Sequence, residues 1–506
     1  MAKKTSTPSF ITELPLKVDS KQEKELLARL QAARQLYNAC LNEALVRMNL
    51  VRSSDSFKQA KALRGKDKKL RAELFKEARK QHRFSEYELS SFSTSVANSS
   101  KWISIKLGAH EKQTVSKRAF AAVEKILFSR AGKVRFKVAN RFRSVEGKSN
   151  ATGIRFVNNV VFWKKLALQP IIDWNNPVIM HGLNSPVKYC RILWRVLNGK
   201  RRWYVQLTNE GLPYQKPNNY VTEGVVGLDL NISNVAFVAN YKAGLLPFAD
   251  KVPTFEREIK ALQRKMQRSQ RMHNPDNFEA DFDKKVGNKV VRKKGKVKQG
   301  KKQWIKTRNY RRIQAKKAEV ERKKAAYAKS QNRRLVNEIL RHGNVIKTEN
   351  VSVKAWQKIY GKAISAKSPG FFQSELARKA ESAGGQLIKF PTRTTALSQT
   401  HLDGTRIKKK LSERVHYDVT GVAPMHRDLF SAFLARCVHG DKLSMWDAQC
   451  EYPGTEPFLL DAWKEHQQSA KQVAKCESGN YHDSLEQMSD KVLNPNQVAN
   501  KGEKLG

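Results

Sequence analysis

Hydrophobic positions along the chain follow two different periods, and the change between them marks its organisation. Residues 9–19 alternate, with Leu14, Leu16 and Val18 on one face, and read as a strand. Ser20, with Glu23 three residues on, reads as a capping box. Leu26, Leu27, Leu30, Tyr37, Cys40, Leu41, Leu45 and Met48 then recur at helical spacing. The charged stretch 53–83 reads as a helical hairpin, and Phe84–Leu127 continues helical. From 132 to 210 the pattern alternates again, with short strands at Val134–Val138, Ile154–Val157 and Val160–Trp163. Tyr189–Leu197 and Arg201–Thr208 flank Asn198-Gly199, the strongest short hairpin signal. With the strand at 9–19, these predict a small β-barrel interrupted by a helical insertion.

After a Pro- and Asn-containing linker, 213–222, the period changes once more. Val225–Leu230 is a continuous apolar run suited to a strand buried on both faces, followed by a turn at Asn231–Asn234 and a second strand from Val235. Phe255, Ile259, Leu262 and Met266 mark a helix, and Tyr310–Leu340 another, within a basic helical region 254–341. Lys284–Arg312 between them is too polar for a core, and is either disordered or laid along phosphates. Val345–Val353 reads as a strand, Pro369–Ala383 as a helix and Gln386–Phe390 as a strand. Met425–Leu434 opens an amphipathic helix. The polar segment from about Gly440, with Trp446 and Trp463, reads as a poorly ordered tail.

Composition narrows the partners. The chain has 506 residues, too many for one core. Lys and Arg number 97 against 46 Asp and Glu, giving a net charge of +51 that is spread along the chain. Such a charge calls for a polyanion, and nucleic acid is the expected one. No run of eighteen apolar residues is present, so no membrane partner is expected, and the N-terminus lacks the apolar stretch of a signal peptide. Nine Trp and 22 Phe argue for packed domains. Cys40, Cys190, Cys437, Cys450 and Cys476 form no CxxC pair and suggest a reducing cytoplasm. Lys101, Lys106 and Arg118 are candidate phosphate contacts in the helical lobe, and Trp163, Trp194 and Trp203 could stack bases or sit in the core.

Three acids carry the candidate chemistry. Asp229 interrupts an apolar strand, where a carboxylate is costly unless it is paired or holds a cation. Glu349 lies near the end of the second apolar strand, and Asp428 in the first turn of the Met425 helix. A strand Asp, a strand-end Glu and a helix Asp are the parts with which an RNase H-like fold holds two Mg²⁺ ions, roughly 3.5–4 Å apart, for phosphodiester hydrolysis. The bland readings are a turn-capping Asp229 using Asn231 or Ser233, a surface Glu349, and an Asp428 favoured by the helix dipole.

GLDLN around Asp229, TEN around Glu349, and TALSQT followed by HRDLFSAFLA around Asp428 resemble TnpB, the transposon-encoded RNA-guided nucleases, and the compact type V CRISPR effectors descended from them. The likeness covers most of residues 8–440. It implies an α+β multidomain protein: a split β-barrel wedge with a helical recognition lobe inserted, then an RNase H-like, RuvC-type α/β nuclease domain. The corresponding boundaries are 1–20 and 129–212 for the wedge, 21–128 for the lobe, 223–391 and 425–440 for the nuclease, 392–424 for an insertion and 441–506 for the tail. The resemblance implies catalytic and Mg²⁺-binding roles for Asp229, Glu349 and Asp428, with guide RNA and double-stranded target DNA as partners in a prokaryotic cytoplasm. In the insertion, His401, Asp403, Asp418 and Thr420 stand where the family has zinc-binding cysteines. Lacking thiolates, the loop is expected to hold no zinc and to be kept by packing alone. A nuclease-silent RNA-guided DNA binder and an RNA-independent transposase with an acidic triad remain as alternatives.

Overall fold

In the computed structural model, which describes residues 7–63, 67–219, 221–287, 289–300, 302–361, 363–410 and 412–492, the chain divides into two compact units, 1–215 and 216–506. The first unit begins with strand β1 (Ser9–Lys17). Six helices follow: α1 (Ser20–Ser53), α2 (Asp55–Ala62), α3 (Lys68–Gln81), α4 (Glu86–Asn98), α5 (Lys101–Lys106) and α6 (Ala109–Leu127). The cap of α1 sits one residue before the predicted one. Asp19 accepts from the Gln22 amide at 2.7 Å, and the Gln22 side chain accepts from the Asp19 amide at 3.1 Å, because Asp19 is the residue with extended backbone.

Strands β2 (Ser144–Glu146), β3 (Ile154–Val157), β4 (Val160–Trp163) and β5 (Leu166–Pro170), the short helix α7 (Pro177–Leu183), and strands β6 (Val187–Leu197) and β7 (Lys200–Glu210) complete the unit. They form one sheet in the order β2-β6-β7-β1-β5-β4-β3. β1 pairs antiparallel with both β7 and β5. The helices are thus inserted between a central strand and the rest of its own sheet. The β6–β7 turn uses Asn198 and Gly199 at φ of 50° and 76°, the left-handed pair that such a hairpin requires. The strand expected at Val134–Val138 does not form. Its main chain is taken by α1 side chains, with Lys137 N–H donating to Asn38 Oδ1 at 2.8 Å and Lys137 C=O accepting from Asn38 and Arg34. Trp163, Trp194 and Trp203 are buried with Leu14, Leu36 and Val205 in a core shared by sheet and helices, so they are packing residues and do not stack bases.

The second unit is built on a five-stranded sheet of β8 (Val225–Leu230), β9 (Asn234–Val238), β10 (Ala243–Pro247), and two later strands. Helix α8 (Val252–His273), a ribbon of β11 (Phe282–Val286) and β12 (Lys289–Lys293), and helix α9 (Arg308–Leu340) come between. Next are β13 (Val345–Glu349), helices α10 (Val353–Tyr360), α11 (Ala363–Lys367) and α12 (Pro369–Ser382), and β14 (Gln386–Phe390). The order is β10-β9-β8-β13-β14, with β8, β13 and β14 parallel and β9 reversed. One side of the sheet buries Val226, Leu228 and Ile346 with Val336, Ile339 and Phe372 of α9 and α12. The other side is covered by α14 (Arg427–Arg436), which follows the single-turn α13 (Thr392–Thr395), and by α15 (Met445–Val492).

Two expectations change here. Lys284–Arg312 is not featureless: its first part lies in the two-stranded ribbon β11–β12. The segment from 441, read as a poorly ordered tail, is mostly helix. Ala448, Tyr452, Leu459 and Ala462 of α15 are buried in one core with Phe430 and Phe433 of α14 and Leu245 of β10, while residues 493–506 lie outside the described part. No helix among the described residues is long and apolar enough to cross a membrane.

Candidate active site

The parallel register fixes two of the three acids. The last registered pair of β8 and β13 is Leu228 with Thr348, so Asp229 and Glu349 come next on neighbouring parallel strands, at their carboxyl ends. Loops and clefts at such strand ends are where parallel sheets bind ligands. Asp428 arrives from the helix laid across β8. That helix can lie close because β8 has Gly227 beneath it: a Cβ there would stand 2.0 Å from the Ala432 carbonyl oxygen and 2.8 Å from the Arg436 nitrogen. His426 caps the helix, its Nδ1 accepting from the Asp428 amide at 3.2 Å, and this cap starts the helix two residues later than predicted.

The three acids feel one another. Burial pushes the Asp229 carboxyl well above the usual carboxylate range, and the charges of Asp428 and Glu349 push it further, against the opposing pull of Arg427 and Arg414. Burial lifts Glu349 to about 7, opposed by the Leu397 backbone amide. That amide begins the Leu397-Ser398-Gln399-Thr400 stretch, which ties this motif to the second acid. Asp428 is buried, and its carboxylate accepts from the Asn231 side-chain amide at 2.9 Å. Asn231, in the turn after β8, thus serves the third acid and does not cap a turn for Asp229. Lys367 Nζ holds the same turn by donating to the Ile232 carbonyl at 3.0 Å. From the sequence Asn231 reads only as a turn partner of Asp229, not of Asp428, and Lys367 carries no role.

An all-oxygen donor set of two Asp and one Glu suits a hard divalent cation. After burial, the charges of Asp428 and Glu349 raise the Asp229 carboxyl, and a cation would relieve that part, so the donor types suit Mg²⁺; among the described residues the three carboxylates are not drawn within 4.8 Å of one another.

The insertion after α13 is different. His401, His416 and Asp418 are buried, with one donor atom of each within 4.8 Å of the others. Most of their polar atoms are already engaged, the exception being His401 Nε2, which is buried without a partner. Asp418 accepts from the Leu402 amide at 2.9 Å, the Thr420 amide at 3.0 Å, the Thr420 hydroxyl at 2.8 Å and His416 Nε2 at 2.8 Å. Lys409 Nζ meets His416 Nδ1, and His401 Nδ1 accepts from the Val419 amide at 3.1 Å. Asp403 is turned away to the Thr405 amide and hydroxyl. Burial works against the Asp418 charge, but the Thr420 and His416 donors outweigh it and hold its carboxyl below the usual range. Burial presses His416 down to about 4. A lysine amine and a carboxylate with all its bonds made do not fit zinc. The expectation of packing alone is corrected: a buried hydrogen-bonded clasp, including His416, which was not singled out, holds this loop.

In the helical lobe two of the three candidate phosphate contacts also have partners within the protein. Lys106 pairs with Glu25 at 2.6 Å, and Arg118 donates from Nη1 to the Ser144 carbonyl at 2.8 Å, so part of each side chain's donor capacity is used within the protein. A cleft of about 1130 Å³ in the same unit gathers Arg52, Lys61, Lys76, Lys80 and Arg83 around Phe57, Phe75 and the half-exposed Phe128.

No family model and no curated protein matches this chain. Among solved structures it is similar to a chain of the Cas12f1–sgRNA–target DNA complex, at 10% identity over 84% of this chain and 98% of that one, with a TM-score of 0.41. It is also similar to a chain of the CRISPR-Cas12f ternary complex, at 11% identity over 84% of this chain and 82% of that one, with a TM-score of 0.30. Cas12f is a compact type V effector, the group that the acidic motifs resemble. At these TM-scores the two matches add no weight to fold or function.

Proposed function

We propose that this protein is an RNA-guided DNA endonuclease of the TnpB and compact type V kind, with a RuvC-like site that hydrolyses DNA phosphodiester bonds. The observation that carries this reading is the convergence of Asp229, Glu349 and Asp428 from three distant stretches, with burial first and then the charges of Asp428 and Glu349 raising the Asp229 carboxyl, in a chain of net charge +51. Three parallel strands, two of them with an acid at the carboxyl end, a hairpin with a reversed strand at one edge and a helix bringing the third acid support an RNase H-like fold. The seven-stranded sheet split by six helices supports a wedge with an inserted recognition lobe.

In this reading Asp229, Glu349 and Asp428 would hold two Mg²⁺ ions, which would supply water activation and charge compensation at the scissile phosphate. The protein's part is placement. Asn231 orients the Asp428 carboxylate, Leu397 steadies Glu349, and Arg427 and Arg414 lessen the repulsion among the acids. Target choice comes from guide RNA pairing beside a short adjacent motif, with the cations of the basic cleft among the groups available to nucleic-acid phosphates.

The test is to purify the protein from cells carrying its native locus, sequence the RNA bound to it, and assay cleavage of matching duplex DNA. A discrete scaffold joined to a guide, with cutting abolished and binding kept in Asp229→Ala, is the expected result. A discrete guide without cutting would move the reading to a repressor-like DNA binder. Bulk cellular RNA with cutting only at transposon ends would replace it by a transposase.

A further inference from the structure

The ribbon β11–β12 is firmly rooted and wholly uncovered. At its base the buried Asn274 joins two chain segments, donating to the Gln270 and Ile305 carbonyls and accepting from the Ile305 amide at 2.7 Å. Asn277 donates to the Gln303 carbonyl at 2.7 Å. Asp281 accepts from the Gly295 amide at 2.9 Å and from Lys294 at 2.8 Å. Gly295 is needed there, since a Cβ would stand 1.9 Å from the Glu279 carbonyl oxygen. Above this root every one of the ten strand residues is exposed, including Val290 at 69%. A lone two-stranded hairpin is marginal in water, and exposed valines gain nothing there. Such a root under such a ribbon is the geometry of a presented binding element.

The register says which side binds. Residues directly opposite share a face. Phe282 with Lys293, Lys284 with Val291, and Val286 with Lys289 make one face: three lysines, three apolar residues and no acid. On the other face Asp283 stands opposite Arg292, so with Lys285 that face carries two cations and one acid, against three cations and no acid. A pair of strands about 4.8 Å apart, with its side chains, matches the roughly 12 Å major groove of B-form DNA. The major groove of an A-form RNA helix is too narrow and deep for it. We propose that the Phe282–Lys293 ribbon enters the major groove of duplex DNA, with Lys284, Lys289 and Lys293 at phosphates and base edges and Phe282, Val286 and Val291 against thymine methyl groups. This contact is independent of the acids and of cleavage.

The experiment uses the full chain carrying Asp229→Ala, in EDTA, and follows binding to a DNA duplex and to an RNA duplex of the same sequence as salt is varied. The triple variant Lys284→Ala, Lys289→Ala, Lys293→Ala is expected to bind DNA at least about tenfold more weakly and to lower the slope of log K against log salt by about 2.7, about 0.9 for each lost phosphate contact. RNA-duplex binding should change little, and Lys285→Ala, on the other face, should have a smaller effect than any of the three. An unchanged DNA slope in a triple variant with an unaltered melting curve would overturn the proposal. So would an equal loss on DNA and RNA, which would mean a general polycation effect. Because no cleavage is read, a failure here is distinct from a failure of the nuclease reading.

Discussion

Asn231 and Asp428, 197 residues apart in sequence, are joined by a 2.9 Å hydrogen bond from the side-chain amide to the carboxylate. The turn that ends β8 thereby sets the aim of an acid on α14. Groups that orient metal-binding carboxylates are typically worth about 10–100-fold in metal affinity or activity. Asn231→Ala is therefore expected to cost about that factor in cleavage and in Mg²⁺ affinity while leaving the melting temperature nearly unchanged. Cleavage rates across a Mg²⁺ titration check this, and a variant with full activity at low Mg²⁺ would sink it.

Gly227 is where helix and strand meet backbone to backbone, with the Ala432 carbonyl oxygen 2.0 Å from the place a Cβ would occupy. Gly227→Ala must lift α14 from the sheet and carry Asp428 with it. Overpacking of this kind costs about 1–3 kcal/mol, and contact with unyielding backbone puts the change at the upper end. Gly370, on α12, has nothing within 4 Å of its Cβ position, so Gly370→Ala should be neutral or slightly stabilising. Denaturant unfolding and cleavage assays of the two variants separate close approach from a general intolerance of side chains.

Legibility followed burial. Asp229 could be found because a carboxylate stands out in a β-branched run, and β6–β7 because Asn198-Gly199 marks a turn by itself. The ribbon β11–β12 left no trace because neither of its faces is buried, so its residues alternate with nothing. Helix α15 was hidden by Pro453 and Pro457 within it, residues that usually end a helix and that tertiary packing of Tyr452 and Leu459 overrides. The clasp at Asp418 draws on Lys409, His416 and two backbone amides, a set with no fixed spacing to recognise.

Glu349 gives the acid site a pH dependence with a definite sign. Its carboxyl titrates near 7, against an ordinary value of 4.5, mainly because it is buried. Between those values the metal-free native state binds more protons than the unfolded chain, so its stability falls as pH rises through that window. Mg²⁺ requires the ionised form, so Mg²⁺ affinity should climb up to about pH 7, with proton release on binding. Calorimetry in buffers of different ionisation enthalpy measures the released protons, and Glu349→Gln should lower their number, leaving the share of Asp229, whose carboxyl is raised as well. Affinity that is flat across the window would contradict the assignment.

His416 acts in the opposite direction. Its ring is held near 4 against an ordinary 6.5, chiefly by burial, so the folded chain binds fewer protons than the unfolded one between those values. Stability from this group is complete above pH 6.5 and is lost as pH falls towards 4, by about 3 kcal/mol at the low end. Asp418→Ala should destabilise at neutral pH too, since it orphans the amide of the buried Leu402 at about 1–3 kcal/mol, whereas the exposed Thr420 amide can turn to water. The clasp also predicts that chelators leave the melting temperature unchanged and that the purified protein carries less than stoichiometric zinc. Stoichiometric zinc by elemental analysis, removed together with stability, would replace the clasp by a metal site.

The helix α15 supplies the last prediction, because it closes the face of the sheet that carries Asp428. The Tyr452 ring lies 5.6 Å from that of Phe433 and 6.2 Å from that of Phe430, both edge-on, and its hydroxyl donates to Glu456 at 3.0 Å. Glu456 in turn accepts from the Ala423 amide at 3.2 Å, in the segment leading into α14. Tyr452→Ala removes a buried ring and leaves a cavity, at about 3–5 kcal/mol. Ending the chain at Leu443 goes further, stripping Ala448, Tyr452, Leu459 and Ala462 from the core they share with Phe430 and Phe433. That truncation should give insoluble protein, whereas a dispensable tail would leave a soluble chain with full cleavage. Tyr452→Phe, which keeps the ring and loses only the bond to Glu456, should retain most of the stability, so packing and the polar link can be told apart in one melting series.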